Sequence, residues 1–105
     1  MKKELKDNLQ DWKAKYGQLF HIVVPIDDKK TAEFIVRKPS KPELTAMTSK
    51  ENTSDFNELM FNSMIVAGDR QYIDDTPEFM PDVYLTMVQE LGKLYQPKEA
   101  TSVSL

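Results

Sequence analysis

The chain carries one histidine, His21, and no cysteine. An imidazole becomes a useful general base or metal ligand when a carboxylate or a second ligand converges on it. His21 lies in a strand-like run with no carboxylate pair beside it in sequence, so it reads as a packing or surface residue. Asp27-Asp28 and Asp74-Asp75 are the paired carboxylates. Glycosidic or metal chemistry needs such groups to converge from separate elements, whereas neighbours in polar loops diverge. Turn chemistry and helix-start electrostatics account for both pairs. The calcium-loop pattern of alternating acids around a glycine is absent. Without cysteine, disulfides, thiolate catalysis and thiolate zinc sites are excluded. The serines lack a nucleophile elbow, and Gly17, Gly68 and Gly92 are too scattered to cradle a phosphate. The expectation is a protein that is not an enzyme, with no catalytic, cofactor-binding or metal-binding residues.

The methionines are the other residues with chemistry to offer. Met47, Met60, Met64, Met80 and Met87 all fall on predicted helices. Methionine fills irregular gaps in cores, and it also lines adaptable apolar grooves that receive a partner helix. Phe61, Ile65, Tyr84 and Val88 flank the main apolar stripes, and so small a domain cannot bury every one of these side chains. Exposed together they would make an interaction patch. The candidate partner-binding set is therefore Phe61, Met64 and Ile65 on one helix, with Met80, Tyr84, Met87 and Val88 on the next.

The elements that must position these residues follow from periodicity. With 105 residues the chain fits one domain. The pattern predicts an α+β fold: an N-terminal helix, a two-stranded antiparallel β-hairpin, then three helices packed on it. Leu5, Leu9, Trp12 and Tyr16 share one face of a helix over 4–16, which Gly17 ends. Residues 18–38 form the hairpin, with Phe20, Ile22 and Val24 facing one way and Leu19, His21 and Val23 the other. In the return strand Ala32, Phe34 and Val36 alternate with Glu33, Ile35 and Arg37. Ser40 and Glu43 have capping-box spacing and open a helix over about 41–50. Phe56, Leu59, Met60, Met64 and Ala67 mark a helix over about 54–67, stopped by Gly68. Met80, Tyr84, Met87, Leu91 and Leu94 mark the longest helix, over 77–95, although Pro81 offers an alternative start. Residues 1–97 make the domain and 98–105 a flexible tail.

Composition narrows the partners. A net charge of −3 argues against a nucleic-acid binder, whose phosphate contacts need concentrated Lys and Arg. No apolar run approaches the ~20 residues that span a bilayer. The charged start Met1-Lys2-Lys3-Glu4-Leu5-Lys6-Asp7 lacks the apolar segment of a signal peptide, so the cytoplasm is the expected location.

Specific words in the sequence extend this reading. Trp12-Lys13-Ala14-Lys15-Tyr16-Gly17 precedes the hairpin, and Phe34-Ile35-Val36-Arg37-Lys38-Pro39 leaves it. Asp55-Phe56-Asn57-Glu58-Leu59-Met60-Phe61-Asn62-Ser63 and Val66-Ala67-Gly68-Asp69 follow. This order resembles the small tail-assembly-chaperone-like proteins of long-tailed phages and prophages, of the Bacteroidales type. Met64-Ile65-Val66-Ala67 stands where that family often carries an aromatic and a second glycine. The resemblance implies a phage tail assembly chaperone that binds an aggregation-prone, helical tape-measure protein and brings tail-tube subunits to it. Several copies on one client would favour a homo-oligomer. The competing readings are a structural tail or connector subunit, a protein-binding regulator of a mobile element, and a small enzyme with an unsignalled site.

Overall fold

The computed structural model describes residues 1–105 and has an α+β architecture. Helix α1 (Lys3–Tyr16) leads to strands β1 (Phe20–Pro25) and β2 (Thr31–Val36). Helices α2 (Lys41–Thr48) and α3 (Thr53–Met64) follow, then strand β3 (Ile65–Gly68), a 3-10 turn at Arg70–Tyr72, and helix α4 (Pro81–Lys93). The sheet is antiparallel throughout, in the order β1-β2-β3. No helix is long and apolar enough to cross a membrane.

The third strand corrects the expected two-stranded hairpin and shortens the expected helix over 54–67. Ile65–Gly68 leaves the helix because β2 needs a partner on that side. The groups of Glu33, Ile35 and Arg37 that point away from β1 would otherwise lie buried and unbonded. Ile35 pairs with Ala67, and the Arg37 N–H donates to the Met64 carbonyl at 2.9 Å. Ile65 and Val66 are β-branched, so extended backbone suits them.

Both faces of the sheet are covered, which makes β2 buried from Ala32 to Val36. On one face Val24, Ala32, Phe34 and Val36 meet Met47, Met60, Phe61, Met64, Val83, Met87 and Leu91 in a single core. Phe20 and Ile22 join its margin, as the alternation in the first strand predicts. On the other face α1 lies across the sheet, with Leu5 and Ile35 buried outside the main cluster.

Helix α4 begins at Pro81 rather than at residue 77. Proline biases the residue before it toward extended backbone, and Met80 is extended at φ −124°, ψ 112°. The capping box opening α2 is formed as its spacing predicts: the Ser40 N–H donates to Glu43 Oε1 at 2.8 Å, and the Glu43 N–H to Ser40 Oγ at 3.3 Å. Residues 96–105 carry no helix or strand and are exposed.

Arg37 extends that capping box into a junction. Its guanidinium grips the Glu43 carboxylate with two bonds of 2.7 and 2.6 Å, and lies over the Tyr16 ring at 5.2 Å. One side chain thereby ties the ends of α1 and β2 to the start of α2. The Arg37 bonds, reinforced by the Ser40 N–H, lower the Glu43 pKa from 4.5 to about 2. A carboxylate with a lowered folded-state pKa stabilises the fold fully above its unfolded value of 4.5, and that stabilisation is lost as pH falls through about 2. Glu43→Gln should therefore cost about 1–2 kcal/mol at pH 7, allowing for partial solvent screening, and nearly nothing at pH 2. Urea titrations of both proteins at the two pH values measure the difference.

Candidate functional site

Two regions gather chemistry-bearing side chains. The first is a polar cluster where α1 crosses the strands. Glu33 projects from the outer face of β2 and is only 6% exposed. Its carboxylate accepts from the Lys2 backbone N–H at 3.0 Å and lies 2.9 Å from His21 Nε2. Asp69 completes the cluster. It accepts from the Glu33 N–H at 2.8 Å, while its own N–H donates to the Glu33 carbonyl at 2.9 Å. The Lys2 ammonium also bonds the Asp69 carboxylate, which raises the lysine pKa.

His21 thus has a carboxylate neighbour after all, because the register makes it a diagonal cross-strand partner of Glu33. The sequence separation of 12 residues hid this pair. The cluster reads as structural: each carboxylate is occupied by donors from Lys2 at the head of α1, from β1 or from β2. Its main product is the attachment of α1 and of the end of β3 to the central strand.

Gly68 is the backbone counterpart of this attachment. It has φ +147°, and a Cβ there would stand 2.4 Å from the Glu33 carbonyl oxygen and 2.8 Å from Phe34 Cα. The Gly-Asp pair in the sequence is therefore a docking device. Glycine lets the chain reach Glu33, and aspartate satisfies both of that residue's backbone groups. The adjacent acids elsewhere are also occupied or apart. Asp27 accepts from the N–H groups of Lys29 and Lys30, each at 2.8 Å, closing its own turn. Asp74 pairs with Arg70 through two 3.0 Å bonds. No group of three or more His, Asp or Glu side chains is placed to hold a metal ion.

The second region is the outer side of α4, where the structure divides the seven predicted partner-binding residues. Phe61, Met64 and Met87 are fully buried and Ile65 is 8% exposed, so these four belong to the core and present nothing to a partner. Their burial corrects the expected groove. Helix α3 is covered on more than one side, by the sheet and by its neighbouring helices, and Ile65 has moved into β3. Met47 and Met60 are fully buried too, so these methionines fill the core. Met80, Tyr84 and Val88 are half-buried at the margin.

Two neighbours that periodicity assigned to no stripe are more exposed: Phe79 at 43% and Leu85 at 63%. Tyr84, Leu85 and Val88 are spaced to share one side of α4. Tyr84 links this surface to the interior. Its ring meets Phe61 edge-on at 5.2 Å and Phe79 at 5.8 Å, and its hydroxyl accepts from buried Asn57 at 3.2 Å. Phe79 and Tyr84 also line a hollow of about 250 Å³ that is bordered by Glu58, Asp74 and Asp75. The arrangement can hold an apolar side chain and attract a cation beside it.

Phe79 was legible only as a hydrophobic residue between Pro77 and Pro81, and Leu85 as an apolar residue on the polar side of its helix. An apolar residue off the stripe is the signal that could have found both. No curated protein and no solved structure matches the chain. Residues 12–103 match the family described as a domain of unknown function, DUF6848, and the chain belongs to that family.

Proposed function

We propose that this protein is a non-enzymatic assembly factor that binds another protein in the bacterial cytoplasm, using the outer side of α4. The observation that carries the reading is the apolar surface of Phe79, Tyr84, Leu85 and Val88, with Leu85 the most exposed large apolar side chain within the helices. Isolated apolar residues are ordinary on surfaces, but Leu85 and Val88 stand within a helical turn of Tyr84, which lines an aromatic hollow with Phe79, and such a grouping fits helix-in-groove recognition. The exposed acids Glu58 and Asp75 beside that hollow favour a partner helix whose apolar stripe is flanked by Lys or Arg. The resemblance to tail assembly chaperones supplies the candidate client, an aggregation-prone tape-measure protein.

Co-expression with the tape-measure protein of the same genome tests this directly. The wild type should keep the client soluble and co-purify with it. Phe79→Ser combined with Leu85→Asp should weaken retention at least about tenfold, the loss expected when interface anchors are removed. A client that stays insoluble, or one retained equally by the double variant, would overturn the proposal.

A further inference from the structure

Helices α2, α3 and α4 each place side chains in the main core; α1 places none there, and none in the margin packed against it. Of its fourteen residues only Leu5 is buried, with Leu9 and Trp12 half-buried. Hollows of about 250 and 200 Å³ lie on its two flanks. The first separates Trp12 from Ala67, on the side of β3. The second separates Leu9 from Leu19 and Ile35, on the side of β1.

Polar contacts at the two ends hold this helix down. At its head the Lys2 N–H donates to Glu33, and the Lys2 ammonium bonds Asp69. At its foot the Tyr16 ring lies under the Arg37 guanidinium. No side chain caps the first turn, and a helix of this length is marginal by itself. Gly17, at φ +79°, and exposed Gln18 join it to β1.

Lifting α1 strands no charge inside the fold. Glu33 keeps His21 at 2.9 Å and gains water, and Asp69 keeps the N–H of Glu33. The main core loses nothing, because α1 contributes nothing to it. Elements with few buried apolar contacts open at a free energy well below that of global unfolding.

We propose that α1 is a hinged strap. It swings off the sheet about Gly17 as one unit, while the strands and the other helices stay folded. The open form presents the outer face of the sheet, with Leu19, Ile35 and Ala67 in water together. Ile35, 1% exposed beneath the closed strap, is the residue most changed. Its neighbour Val36 points into the main core and stays covered. Helix α4 packs on that core side, so the strap does not rest on the client-binding surface.

Thiol labelling tests the strap, because the chain has no cysteine of its own. Ile35→Cys and Val36→Cys put a thiol at adjacent buried positions on opposite faces of the sheet. The Ile35→Cys protein should react with a maleimide at least about a hundredfold faster, since only global unfolding uncovers position 36. The wild type supplies a second measurement. Trp12 is the only tryptophan and rides on α1. In urea its emission should shift to that of a solvated indole before the Met60, Met64 and Met87 methyl signals of the folded core are lost. Leu5→Ala should bring the Trp12 transition to lower urea and leave the methionine transition in place. Equal labelling of the two cysteine variants would overturn the proposal. So would Trp12 and methionine transitions that coincide, or a Leu5→Ala protein in which both move together.

Discussion

Replacing Phe61 by alanine is expected to destabilise the protein by about 3–5 kcal/mol, a large share of the stability of a small domain. The ring is fully buried among side chains from α3, α4 and the sheet. Its removal deletes apolar contact and leaves a cavity that the surrounding helices can only partly collapse. It also strips Tyr84 of an edge-on neighbour at 5.2 Å, so Tyr84 should loosen around Asn57. Leu85 is the control, since it is 63% exposed and its conversion to alanine should change stability by no more than about 0.5 kcal/mol. Urea midpoints of the two variants measure the contrast. A Phe61→Ala protein as stable as the wild type would return this residue to the surface where helical periodicity alone had placed it.

Gly68→Ala should be nearly as damaging, through the backbone rather than the core. At φ +147° an L-residue is strained, and strain of that kind costs about 1–3 kcal/mol. Position 68 adds a steric conflict that side-chain motion cannot relieve, because the neighbours 2.4 and 2.8 Å from the new Cβ are the backbone of Glu33 and Phe34. The chain would have to move off β2. That movement would break the paired bonds between Asp69 and Glu33 and expose a buried carboxylate to a changed set of donors. A loss above about 2 kcal/mol is expected, together with faster amide exchange at Glu33 and Ile35. Gly92→Ala provides the comparison, since a Cβ there meets nothing within 4 Å and alanine is the better helix former. It should leave stability unchanged or improve it. Equal effects at the two positions would contradict the docking role of the Gly-Asp pair.

These two cases show which parts of the fold the sequence discloses. Local signals were reliable. The serine and glutamate of the capping box, the glycine that ends α1 and the alternation through β1 each describe a neighbourhood of a few residues, and each has the structure those residues predict. Long-range demands were not visible. Ile65–Gly68 continues an apolar helical stripe in sequence, and only the unsatisfied far side of β2 converts it to a strand. Glu33 alternates as a surface residue should, yet α1 and the end of β3 close over it, so the one buried carboxylate sits where periodicity suggested solvent. His21 acquired its partner by the same register.

The candidate site divided along the same line. Helical spacing placed Tyr84 and Val88 beside Met87 but could not tell these half-buried residues from their fully buried neighbour, because that decision depends on where α4 meets the sheet. Leu85 was passed over for lying off the stripe, which is the property that leaves it exposed. The family match over residues 12–103 carries no activity in its description, so function rests on what the surface can do. A closed methionine-rich core and an apolar outer helix suit binding without opening the fold.

Methyl-resolved NMR of the protein titrated with a soluble helical segment of the proposed tape-measure client tests this claim most directly, because the methionine, leucine and valine methyls report on core and surface in one spectrum. The account predicts large shifts for Leu85 and Val88 and for the rings of Phe79 and Tyr84, with the Met60, Met64 and Met87 methyls nearly unmoved. Saturable shifts centred on Met64 and Met87, with Leu85 silent, would show that the partner enters an opened core and would contradict it.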